Sequence, residues 1–293
     1  MRVWAISDLH TDFRENMRWV SNLSLEDYTS DIIIVAGDIS DDIGILEKTL
    51  LLLKHRFARV FFVPGNHDLW IRRDGYSHSL EKFYKVLNVC ASCEVEYSPR
   101  LIGEETPSLC VLPLFSWYVK PEEGPDSLYM RKPGEDPGLK VWMDDYHIVW
   151  PVFDGADNAS DFFLGRNLEH DTRFFRAPVL SFSHFLPRRD LIMSLKRPVD
   201  KQGRPFKDPH PKFNFSRFAG SAHLDIQLRA MGSVFHIYGH QHRNRYREIE
   251  GVRYFSHNLG YARERAFAGI DDKLYFPKLV WSEEDGFSTY PEN

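Results

Sequence analysis

The chain predicts an α/β fold built on parallel strands, and three observations carry that expectation. Apolar runs rich in β-branched residues recur early: Val3-Trp4-Ala5-Ile6, Ile32-Ile33-Ile34-Val35-Ala36 and Val60-Phe61-Phe62-Val63. Segments with apolar residues at helical spacing stand between them. Each run then stops at a cluster of polar groups instead of fading into a turn. Continuous apolar runs suit central strands buried on both faces. A β-α-β-α-β order implies parallel strands joined by right-handed crossovers.

The elements follow in order. After the strand at Val3–Ile6, residues 14–23 predict a helix with Trp19, Val20 and Leu23 on one face. After the second strand, residues 43–54 carry Leu46, Leu50 and Leu53 at helical spacing. Pro64-Gly65 ends the third strand, because Pro lacks a ladder N–H and Gly accepts backbone angles that other residues resist. A helix over 78–88 and a strand at Leu109–Val111 continue the pattern. The grammar then changes: residues 116–171 hold twelve acidic and five basic residues, a balance of −7, with many Pro, Gly and Trp. Aromatic content argues against disorder, so an ordered, lid-like insertion is expected. A strand at Pro178–Ser183 ends at His184. Residues 186–217 are basic and Pro-rich, with nine Lys or Arg against three Asp. Ser221 is placed to cap a helix running to Met231. The strand Val234–Tyr238 ends at Gly239-His240-Gln241-His242, and Val252–Phe255 and Leu274–Trp281 read as further strands. No repeat or linker divides the chain, so residues 1–293 are expected to form one domain.

Composition narrows the class. A chain of 293 residues that is 43% hydrophobic and 27% charged is an ordinary soluble globular protein. Its net charge of −5 argues against a polyanionic partner. Cys90-Ala91-Ser92-Cys93 has metal-pair spacing, but only Cys110 remains to complete a site, so the three thiols read as small buried hydrophobes. No signal-peptide pattern precedes the first strand, and no apolar run reaches the roughly 20 residues of a membrane span. A reducing, cytoplasmic setting is expected. The sequons at Asn22, Asn158 and Asn214 then carry no meaning.

The strand ends carry the chemistry. After successive strands come Asp8-Leu9-His10, Gly37-Asp38-Ile39-Ser40-Asp41, Gly65-Asn66-His67-Asp68, His184 and Gly239-His240-Gln241-His242. Parallel strands present their carboxyl ends at one sheet edge, where open α/β sheets place their sites. Oxygen and imidazole ligands without thiolate suit Mn, Fe, Zn or Ni. Their number suits two ions sharing a carboxylate better than one ion. Taken singly, Asp-x-His is an ordinary turn and Gly-Asp a common helix start. All five in order, each at a strand end, would rarely arise as unrelated turns.

In residue type and order these motifs resemble the calcineurin-like metallophosphoesterases. The resemblance spans residues 8–242 and says nothing of 116–171 or of the basic loop. It implies a four-layer α/β-β/α sandwich with a dinuclear centre. Asp8, His10 and His242 would bind one metal, Asn66, His184 and His240 the other, and Asp38 would bridge them. His67, oriented by Asp41, would assist the leaving group as a general acid or electrostatic stabiliser. Two cations would lower the pKa of a shared water and supply hydroxide for direct attack on phosphorus, with no covalent intermediate required. Asp68 has no ligand role in this scheme and reads as a structural partner of its loop. Thr11, Asp42-Ile43 and Asp68 depart from the protein Ser/Thr phosphatase pattern, which disfavours that branch.

Arg188 and Arg189 follow His184 closely enough to reach a substrate phosphate, or the basic loop pairs with the acidic insertion instead. His223 and His257 suit structural roles better than substrate contact. Trp117, Tyr118, Trp142 and Trp150 suit packing better than stacking on a nucleobase. The expected activity is hydrolysis of a phosphomonoester or phosphodiester of a small molecule or nucleotide. A nuclease and a non-catalytic scaffold on the same fold are the alternatives.

Overall fold

The computed structural model describes residues 1–73, 75–103, 108–169, 176–195, 208–268 and 270–293. Residues 196–207 of the basic segment and 170–171 of the acidic one therefore lie outside the described residues. The first sheet is formed by β1 (Arg2–Ile6), β2 (Ile32–Val35) and β3 (Arg59–Phe62), with helices α1 (Arg14–Ser21) and α2 (Ile43–Lys54) between them and α3 (Ser79–Ser92) after them. The three strands pair in parallel, as the crossovers require. Asp42 caps α2 by accepting from the Ile45 N–H at 3.0 Å, a contact of about 1 kcal/mol.

The second sheet collects β4 (Arg100–Ile102), β5 (Leu109–Pro113), β6 (Val179–Phe182), β7 (Ser233–Ile237), β8 (Arg245–Ile249) and β9 (Val252–Ser256). Strands β5, β6, β7 and β9 run parallel at its centre, and β4 and β8 pair antiparallel at its edges. Within 116–171 lie α4 (Asp144–His147) and α5 (Ala159–Asn167); α6 (Ala222–Ala230) precedes β7, and α7 (Ala262–Ala268) follows β9. The chain ends by returning to the first sheet as β10 (Lys278–Ser282), antiparallel to β1, and β11 (Gly286–Phe287).

Alternation along each strand sorts the core into layers. Ile32 and Ile34 face the second sheet and meet Leu180, Phe182, Phe235 and Ile237. Ile33 and Val35 face away, onto Trp19, Val20, Leu46 and Leu50 of α1 and α2. On the outer side of the second sheet, Cys110, Leu112 and Tyr238 pack with Leu224 and Leu228 of α6. The order is helices, sheet, sheet, helices. Cys90, Cys93 and Cys110 are buried free thiols. No helix among the described residues is long and apolar enough to cross a membrane.

Residues 116–169 do not form a detached lid. Trp117, Tyr118 and Phe163 are buried in the core between the sheets, and Trp142, Trp150 and Phe153 pack against it. The acidic and basic segments are tied together through Lys132 with Asp208 (2.5 Å) and Arg217 with Glu123 (2.6 Å) and Glu135 (3.4 Å).

Candidate active site

The carboxyl ends of β1, β2 and β3 face those of β6 and β7, and the polar motifs meet between them. Among the described residues, seven non-glycine positions have positive φ, and five of these are Asp8, His10, Asp38, His240 and His242. Such backbone costs on the order of 1–3 kcal/mol per residue and persists only where the surroundings over-determine it. Here they do. Asp68 accepts the backbone N–H groups of Asp38, Ile39, Ser40 and Gly65 at 2.8–2.9 Å, pinning the loops after β2 and β3 to one another. Gly37, at φ +85°, lies so close to His184 that a methyl group would sit 2.6 Å from its Cγ. Gly65 is required for close approach and not for its backbone angle: a methyl there would overlap the Asp38 carboxylate and lie 2.7 Å from His184.

Asp8, His10 and His242 offer ligand atoms within 4.8 Å of one another, as do Asp8, Asp38 and His184. Asn66 Oδ1 joins them, 3.2 Å from His184 Nε2 and 3.1 Å from His240 Nδ1. The outer ring nitrogens fix the tautomers. His184 Nδ1 faces the Ala36 carbonyl at 2.9 Å, His240 Nε2 the Phe218 carbonyl at 3.0 Å, and His242 Nδ1 the Glu264 carboxylate at 2.8 Å. Carbonyl and carboxylate oxygens only accept, so these nitrogens carry the protons and the inner ones present lone pairs. The lone pairs point at further acceptors: His184 Nε2 at Asp38 Oδ2 (3.4 Å), His242 Nε2 at Asp8 Oδ1 (3.3 Å), and His184 Nε2 and His240 Nδ1 at Asn66 Oδ1.

Acceptors facing acceptors at these distances need a positive charge between them. Protons are one solution: burial opposes charge on His184 and His242, but Asp38 raises the first to about 9 and Asp8 the second to about 10. Metal cations are the other, and the donor set fits them. His240, buried and facing His184, stays neutral, lowered to about 3.

His67 stands at the rim, its Nε2 4.0 Å from Asp38 Oδ2, with an atom in reach of both His10 and Asp38. Its ring lies against Trp70, tilted by 30° with centroids 3.7 Å apart, and meets His10 edge-on at 4.6 Å. Burial lowers its pKa to about 4, against the pull of Asp38. The expected hydrogen bond from His67 to the Asp41 carboxylate is not formed. Asp41 instead pairs with Arg72 and Arg73, which rise from the turn after His67 and claim one carboxylate oxygen; its Oδ1 is buried without a partner. Trp70, and not Asp41, fixes the ring.

Arg188 and Arg189 are not brought to the ligand cluster either. Arg188 is held by Asp190, Asp225 and Glu250, and Arg189 donates to the Ser127 carbonyl. Carboxylates along the loop's own flank satisfy Arg188 before a substrate can. His223 pairs with Asp126, and His257 is buried against the Phe276 carbonyl.

Several neighbours of the cluster carried no signal in the sequence. Tyr261 stacks on His10 at 4.6 Å. Glu264 anchors His242. Asp144, from 116–171, accepts from Asn66 Nδ2 at 2.8 Å, Trp70 Nε1 at 2.7 Å and Trp142 Nε1 at 2.9 Å. Burial pushes its carboxyl up to about 6, opposed by those three donors, so it remains ionised at neutral pH.

Two apposed sheets with a buried oxygen-and-imidazole cluster at their carboxyl ends define a metallophosphoesterase. The chain belongs to the calcineurin-like phosphoesterase family, whose model matches residues 1–244. It is a phosphoric ester hydrolase of that family. Among curated proteins it is similar to the [acyl-carrier-protein] phosphodiesterase PptH of Mycobacterium tuberculosis, at 26% identity over 89% of this chain and 78% of that protein. The crystal structure of phosphopantetheinyl hydrolase (PptH) from Mycobacterium tuberculosis superposes with a TM-score of 0.69 at 24% identity, covering 91% of this chain and 92% of that one.

Proposed function

We propose that the chain hydrolyses a phosphodiester bond, with a phosphopantetheinyl diester as the first candidate within a wider class of small-molecule or nucleotide phosphoesters. Asp8, His10 and His242 would hold one transition-metal ion, and Asn66, His184 and His240 a second, with Asp38 common to both; Mn, Fe, Zn or Ni suits these donors. When bound, the pair supplies hydroxide near neutral pH and neutralises charge on the phosphate. The observation that carries this reading is the set of inner imidazole lone pairs aimed at Asp8, Asp38 and Asn66 oxygens.

The chain's own contribution beyond binding falls to His67. Held neutral in the free protein, it donates an N–H hydrogen bond towards the leaving oxygen; an anionic diester placed against it raises its affinity for a proton. Asp41 would act on His67 only indirectly, through Arg72 and the Trp70 ring over which that guanidinium lies at 5.1 Å. The named relative supports a diester on a carrier protein as substrate. A net charge of −5 speaks against a nuclease, and a scaffold would be expected to lack one of the ligand-type residues, all of which are present.

A Mn²⁺-supplemented panel tests this: aryl phosphate, bis-aryl phosphate, cyclic nucleotide, nucleotide pyrophosphate and acyl carrier protein bearing its phosphopantetheinyl group. Diesters should be cleaved faster than monoesters. His67→Ala should keep its metals and lose on the order of 10³-fold in turnover. Protein that binds no transition metal and stays inert with added Mn²⁺ would sink the reading.

A further inference from the structure

We propose that Asp144 is a positioning residue that decides which atom of Asn66 faces the second metal position, so that the 116–171 segment controls occupancy there. The inference rests on the dinuclear reading above. A side-chain amide has two nearly isosteric orientations, and only one offers an oxygen to a cation. Asp144 selects it. The indole N–H groups of Trp70 and Trp142, which can only donate, already hold both Asp144 oxygens as acceptors, so Asn66 Nδ2 turns towards Asp144 Oδ1, 2.8 Å away, leaving Asn66 Oδ1 for His184 and His240. The reverse orientation would set N–H groups against those imidazoles and leave no lone pair for a metal.

Asp144 is itself fixed. It is buried at the start of α4, with Trp70 Nε1 on the oxygen that holds Asn66 and Trp142 Nε1 on the other. Trp142 stacks on Phe218 at 4.8 Å and meets His240 edge-on at 5.6 Å, while the Phe218 carbonyl takes the outer N–H of His240. One aromatic wall therefore braces both Asn66 and His240. Removing a partner that orients a metal ligand costs typically 10–100-fold in affinity.

The test is Mn²⁺ titration by calorimetry, with electron paramagnetic resonance of the loaded protein, on the wild type, Asp144→Asn, Trp142→Phe and the exchange variant Asn66→Asp with Asp144→Asn. The wild type should bind two ions with a spin-coupled signal. Asp144→Asn, which offers an N–H as well as an oxygen, should weaken one site by about 10–100-fold and show isolated Mn²⁺ at sub-saturating metal. Trp142→Phe keeps the carboxylate and its bond to Asn66 while removing one brace, so it should weaken the second site by less than Asp144→Asn does. The exchange places an acceptor-only group at 66 with an amide N–H against it, and should restore the second ion. If Asp144→Asn fails to fold by circular dichroism, the exchange variant decides alone: two ions support the assignment and one overturns it. Wild-type affinity at both sites in Asp144→Asn overturns it, as does equal weakening in Trp142→Phe. Fewer than two ions in the wild type would instead defeat the dinuclear reading itself.

Discussion

Among the described residues, the five loops that leave the strand ends carry every ligand-type side chain of the cluster, whereas 116–169 carries none and still reaches the cluster through Asp144 and Trp142. The two regions are also built differently. The loops hold five ligand-type residues at positive φ, and those after β2 and β3 are locked by backbone hydrogen bonds to Asp68. The segment has little regular structure and is anchored by aromatic packing into the core. Chemistry thus sits on backbone that cannot relax, and placement on side chains that fill space. Substitutions in the first region should remove activity while leaving the fold; substitutions in the second should do the opposite unless they touch Asp144.

The largest effect should come from Asp38→Ala. Asp38 lies within ligand reach of His10 and His67 on one side and of Asp8 and His184 on the other. Removing it should lower kcat/KM by on the order of 10⁴-fold, the several kcal/mol that metal-assisted charge stabilisation supplies. Metal content measured on the purified variant should fall below two ions per chain. Retention of both ions at full affinity would take Asp38 out of its position between them.

Gly65→Ala should act next. The added methyl overlaps Asp38 and crowds His184, and meets no residue of the hydrophobic core among its nearest neighbours. A displacement of about 1 Å in a catalytic group can cost on the order of 10²-fold, so kcat should fall by that much with Tm nearly unchanged. A fully active variant would show that this loop yields, contrary to the locking by Asp68.

How far each region was legible follows from the same contrast. The Asp, Asn and His positions stand out by residue type and by their place at strand ends, where the structure gathers them into one cluster, and uninterrupted apolar runs such as Ile32–Ala36 mark the strands. Edge strands did not: Arg245–Ile249 mixes charge with apolar residues because Arg245 and Arg247, both buried, reach the carbonyls of Ile192, Asp190 and Met193 instead of an apolar layer. Positioning residues were silent for another reason. Asp144 is one of twelve acids in its segment, and nothing local separates a carboxylate that orients an amide from one that faces water. Tyr261 and Glu264 reach His10 and His242 only because the chain after β9 folds back over them. Asp41 does not pair with His67 because Arg72 and Arg73 compete for its carboxylate from across a turn, a competition that spacing does not display.

Trp150→Ala gives the smallest effect on chemistry and the cleanest check on the second region. Trp150 packs edge-on against Trp117 at 5.0 Å and against Phe163 at 5.8 Å, both part of the core between the sheets. It is only partly buried, so its truncation should cost about 2 kcal/mol, below the 3–5 kcal/mol of a fully buried Trp. In thermal unfolding the variant should melt several degrees lower. Its kcat and KM, measured well below that transition, should stay within about twofold, because Trp150 touches neither Asp144 nor a ligand and supplies no group that is present only in the transition state. The opposite result, an unchanged Tm with KM raised tenfold or more, would mean that Trp150 contacts substrate. The boundary between a chemical and a packing region would then have to be redrawn inside 116–171, with α4 and its flanks assigned to the site.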